Sequence, residues 1–197
     1  MPGLKLAIIP KCCQCIALPL MLHFETHNIE QALAELTEAM SRYLHDRLIA
    51  PALRPLVNVT VRIIAPDAAT GSTGLMGLGL MGLQRAEVLS RKQRGQIMPP
   101  TIYDFTLQRQ NDPLDTIIKL SHEWVHVAQL ASGRYSLTGR RPKPGKPEKF
   151  SARWLGVPIG RIDAIPYALR PWEQEAHEWQ HKLVVEFIDR FNQENKD

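Results

Sequence analysis

The pattern His-Glu-x-x-His occurs twice, as HEWVH at residues 122–126 and as HEWQH at 177–181. A helix sets positions i and i+4 on one face, so the two imidazoles of such a pair can reach one zinc ion. The glutamate beside the first histidine is then placed to act as general base on zinc-bound water. Two histidines do not complete a site, because catalytic zinc commonly takes three protein ligands and leaves the fourth position to water. Beyond His181 the candidate acids, Glu186 and Asp189, run away from the pair along the same helix. Beyond His126 stand Glu173 and Glu175, in the first turn of a later helix. The first copy, with ligands His122 and His126 and general base Glu123, is therefore the one that can be completed. Its surroundings agree: LSHEWVHVAQ has uncharged neighbours and suits a dry, buried helix, whereas EAHEWQHKL is flanked by Glu175 and Lys182. A metzincin arrangement is excluded, because Gln129 and Ser132 stand where that pattern needs glycine and a third histidine.

The elements that must carry these residues are legible from periodicity and punctuation. Asp112 can cap a helix, Pro113 suits its first position, Asp115 favours its positive end and Gly133 its stop. Leu114, Ile117, Leu120, Trp124, Val125, Val127, Ala128, Leu130 and Ala131 cover nearly the whole circumference of this helix, so it is expected in the middle of the protein. A last helix is expected from Pro171 to about Phe191, with Trp172, Ala176, Trp179, Leu183, Phe187 and Phe191 as its core stripe. Upstream, residues 16–24 read as a strand, and Asn28 as the cap of a helix to about Leu48 whose apolar stripe is Ile29, Leu33, Leu36, Met40, Tyr43 and Leu44. VNVTVRII at 57–64 and TIYDFTLQ at 101–108 read as strands, with another near 86–89. The glycines at 77, 79 and 82 match GxGxxG, but no strand directly precedes them and no acid follows at nucleotide-binding distance. A pliable glycine hairpin or lid over 74–83 is the better reading. Residues 134–160, rich in Pro, Gly and cations, read as a long basic loop.

LSHEWVHVAQ, then Trp154 and Gly156, then YALRPWEQEAH at 167–177, resemble small gluzincin-type HExxH metallopeptidases, including compact bacterial and phage forms. The resemblance covers roughly 112–180. It implies a zincin-like α+β fold, in which a small mixed sheet packs on the active-site helix and a C-terminal helix carries the third ligand. It places that ligand at Glu173, with one Zn²⁺ per chain and a peptide or protein substrate. This chain has His177 where the family often has Asp. His177 and Glu175 are candidates to hydrogen-bond the ligands from outside. Tyr167, Arg170 and His181 are candidates to stabilise the oxyanion.

A chain of 197 residues, 44% hydrophobic and 22% charged, fits one globular domain. Its 3 cysteines, Cys12, Cys13 and Cys15, are odd in number and crowded at one end, which is no disulfide framework and suits a reducing, cytoplasmic setting. Lys5 and Lys11 before an apolar run suggest a secretion signal, but Pro10 and Pro19 interrupt the run and no small-x-small cleavage site follows. A start at Met21 would make residues 1–20 an upstream extension. No stretch is long and apolar enough to span a membrane. The net charge of +4 belongs to one segment, where Arg134, Arg140, Arg141, Lys143, Lys146, Lys149 and Arg153 face only Glu148. These cations carry a different reading, a nucleic-acid-associated metalloprotein that contacts phosphates through 134–153. A metal-stabilised protein without catalysis is a third.

Overall fold

The computed structural model describes residues 22–65, 91–93, 96–99, 102–139 and 150–194. Strand β1 (Leu22–His27) begins a β-α-β unit with helix α1 (Gln31–Leu48) and strand β2 (Asn58–Ile64). A small antiparallel hairpin, β3 (Arg91–Gln93) and β4 (Gln96–Met98), precedes β5 (Ile102–Gln108) and helix α2 (Pro113–Ala131). Strands β6 (Tyr135–Gly139), β7 (Phe150–Trp154) and β8 (Val157–Arg161) follow. Two short 3-10 turns, Ile162–Ala164 and Tyr167–Leu169, lead into helix α3 (Pro171–Glu194). Helices and strands together make an α+β protein.

β1, β2 and β5 form a parallel sheet in the order β1-β2-β5, with Val59 opposite Tyr103 and Val61 opposite Phe105. Side chains alternate across a strand, so Val59, Val61 and Ile63 of β2 and Tyr103, Phe105 and Leu107 of β5 all bury on one face. The other face carries charges: Arg62 bridges Glu25 and Asp104 from the two flanking strands. Helix α2 lies across the apolar face, where the Phe105 and Trp124 rings meet edge to face, and packs against both α1 and α3, which also touch each other. Thus α2 is surrounded, and every residue from Leu120 to Ala131 is buried. Leu114, expected on its apolar circumference, is exposed in the first turn, ahead of the contacts. The caps are as expected: the Asp112 side chain accepts from Leu114 N–H (2.8 Å), and Gly133 takes the left-handed conformation that ends the helix.

Several expectations need correction. The N-cap of α1 is Glu30, while Asn28 sits at φ 54° in the turn after β1, a conformation that asparagine tolerates better than most residues. Strand β1 extends to His27, and residues 16–21 lie outside the described residues, as do the glycine segment 74–83 and the strand near 86–89. The segment read as a basic loop, 134–160, contains three strands that pair antiparallel in the order β6-β7-β8. Its turn signal is the pair Leu155-Gly156, both at positive φ, which closes a two-residue hairpin with Trp154 opposite Val157. Parallel and antiparallel pairings therefore occupy separate sheets among the described residues, rather than one mixed sheet. Within the described residues, no helix is long and apolar enough to cross a membrane.

Candidate metal centre

The middle of α2 and the first turns of α3 face each other, and the histidines of the first motif project into that seam. His122 Nε2 and His126 Nε2 lie 3.1 Å apart. Glu173 Oε2 lies 3.3 Å from the first and 3.2 Å from the second. All three residues are buried. Ligand bonds of about 2.0–2.1 Å at a tetrahedral angle imply donor atoms about 3.3–3.4 Å apart, so the triangle has the size that a zinc ion requires.

The far side of each ligand is also held. His122 Nδ1 donates to Gln180 Oε1 (2.9 Å), and His126 Nδ1 donates to Gln129 Oε1 (2.9 Å). An amide oxygen only accepts, so with each amide oxygen turned to its histidine the Nδ1 carries a hydrogen, and each ring, when neutral, presents an Nε2 lone pair to the centre. The indole Nε1–H of Trp172 donates to Glu173 Oε1 (3.1 Å), which leaves Oε2 for the triangle. Tyr135 stacks on that indole, with centroids 4.5 Å apart. Three lone-pair atoms so close together are tolerable only around a cation, either a metal ion or a proton on one imidazole. Burial alone would raise Glu173, but hydrogen bonds from His122 and His126 outweigh it and hold the carboxyl well below the usual range. Burial opposes a charge on His126, yet its hydrogen bond to Glu173 and the charges of Glu123 and Glu173 raise its pKa.

Comparison with known proteins finds no matching family model, no matching curated protein and no matching solved structure.

Glu123 is buried on α2 within electrostatic reach of His122, His126 and Glu173, and burial raises its pKa against the pull of the histidines. Tyr167 reaches the centre from the 3-10 turn before α3: its hydroxyl is 3.4 Å from His177 Nε2 and also interacts with the Glu173 carboxylate. The His177 ring lies against that of His122, with centroids 4.7 Å apart. Arg170 is committed elsewhere, donating to the carbonyls of Ile165 (3.1 Å) and Ile162 (3.2 Å), and its guanidinium flanks the Tyr167 ring. It therefore shapes the turn that presents Tyr167. His181 is exposed, with its Nε2 3.2 Å from the Gln180 amide nitrogen, and is not part of the triangle. Glu175 touches no ligand; it accepts from Gln129 (2.8 Å) and pairs with Arg134 (2.5 Å). Arg140, Arg141, Lys143, Lys146 and Lys149 lie outside the described residues.

Sequence reasoning missed Gln129, Gln180 and Trp172. A signal existed: Gln129 is three residues past His126, and Gln180 is seven past Glu173, both spacings that share a helix face. The second HExxH copy thus serves the first, through Gln180 and His177 rather than through a metal pair of its own.

Proposed function

We propose that the protein is a zinc-dependent metallopeptidase of the gluzincin type with a zincin-like site. The observation that carries this reading is the buried triangle of His122, His126 and Glu173, with Glu123 beside it. The two neutral imidazoles and one carboxylate leave a divalent ion with net positive charge. When bound, zinc supplies a lowered pKa for its water and polarises a peptide carbonyl. Glu123 takes the proton of the attacking water and delivers it to the leaving amine nitrogen. The Tyr167 hydroxyl, which hydrogen-bonds the Glu173 carboxylate and lies 3.4 Å from His177 Nε2, donates to the carbonyl oxygen as negative charge develops there.

Glu123→Gln tests the reading, because the amide keeps the shape but cannot take a proton. The expected result is about one zinc per chain by metal analysis and a fall in peptide turnover of about 10²–10⁴-fold. A variant that cleaves peptides like the parent protein would overturn the mechanism. A parent protein that holds zinc without cleaving peptides would favour the non-catalytic alternative.

A further inference from the structure

We infer that Gln129 and Glu175 are positioning residues for the metal centre: Glu175 fixes the amide of Gln129, and Gln129 fixes the tautomer and aim of His126. This rests on the metal-binding half of the proposal above and not on peptide hydrolysis. Gln129 is fully buried. Its amide nitrogen donates to the Trp172 carbonyl (2.9 Å) and to Glu175 Oε2 (2.8 Å), two groups that can only accept. Turning the amide over would set its oxygen against both acceptors and strand them in a dry interior. The oxygen must therefore face His126 Nδ1, and that nitrogen must carry the hydrogen. Glu175 is held in turn, because Arg134 Nη1 grips its other oxygen at 2.5 Å while the guanidinium lies over the Trp154 ring. A line of four side chains thus runs from β6–β7 to the centre: Arg134, Glu175, Gln129, His126.

The other imidazole is held differently. Gln180 is only half-buried, and beyond His122 its amide meets His177 and His181, two rings whose nitrogens can each donate or accept. Nothing there forces the orientation of the amide. The two histidines of one motif therefore differ: His126 is set before the metal arrives, and His122 is adjustable.

A double-mutant cycle on the full chain tests this, with Zn²⁺ affinity read by competition against a chromophoric chelator at pH 7 and metal-free melting temperature read separately in EDTA. Gln129→Met removes the acceptor at nearly constant volume and is expected to weaken zinc binding about 10–100-fold. Glu175→Gln, a mild change at a partly exposed position, should weaken it in the same direction. The pair together should lose no more than Gln129→Met alone, because both act through one line. Gln129→Met with Gln180→Met should lose the product of the single effects, because they act on different rings. Lowered melting temperatures with parental zinc affinity would mean a purely structural role and overturn the inference. Multiplying losses for Gln129→Met and Glu175→Gln would break the line, and a parent chain that takes up no zinc would remove its basis. Zinc binding without peptide cleavage leaves the inference standing and sinks only the peptidase reading.

Discussion

At the scale of single residues, the two HExxH copies differ in what their side chains meet. His126 is buried, with one ring nitrogen on Gln129 and the other in the triangle, whereas His181 is exposed and meets only an amide. Removing an imidazole from a three-ligand site leaves two donors, too few to hold zinc against dialysis. His126→Ala is therefore expected to lose its zinc, and His181→Ala to keep about one ion per chain, as counted by atomic absorption. Zinc retained by the first variant would place the site elsewhere. The glutamates divide in the same way: Glu173 completes the triangle, Glu123 is buried beside it, and Glu175 accepts from Gln129 two residues beyond Glu173 on the same helix.

At the scale of elements, α3 does most to assemble the centre. Glu173, His177 and Gln180 lie at i, i+4 and i+7, one stripe that faces the histidines of α2. Burial of Trp172, Ala176, Leu183 and Phe187 seats that helix and sets the height of the stripe. The β7–β8 hairpin holds a local strain instead. Leu155 occupies a left-handed conformation at φ 49° and is 62% exposed, so a branched residue stands where a tight turn favours asparagine or glycine. A non-glycine residue there costs about 1–2 kcal/mol, and little packing opposes its removal. Leu155→Asn is expected to raise unfolding stability by about 1 kcal/mol in urea titration, with the zinc content unchanged. A loss of stability would show that the leucine side chain contributes contacts that outweigh the strain.

At the scale of the whole molecule, the centre joins α2 to α3 and makes stability depend on what occupies it. In metal-free protein a proton on His126 is the remaining cation. Its folded pKa is raised above 6.5, so the stability it contributes is fully present below that value and is lost as pH rises through the folded pKa. The melting temperature in EDTA should therefore fall as pH is raised beyond 6.5 and through the folded pKa, and added zinc should flatten that fall by replacing the proton. A metal-free melting temperature that rises over the same interval would contradict the assignment. Sequence alone determined the motif pair, the completion of the first copy by an acid of the last helix, two of the three strands of the parallel sheet and the approximate extent of the three helices, because these depend on residue types and spacing along the chain. It could not show β6–β8, where proline, glycine and cations obscure the alternation of a half-exposed sheet. Nor could it show that Gln129, Trp172 and Gln180 hold the ligands from behind. That arrangement depends on the rotation and height at which two helices meet, and those are set by packing between residues far apart in the chain.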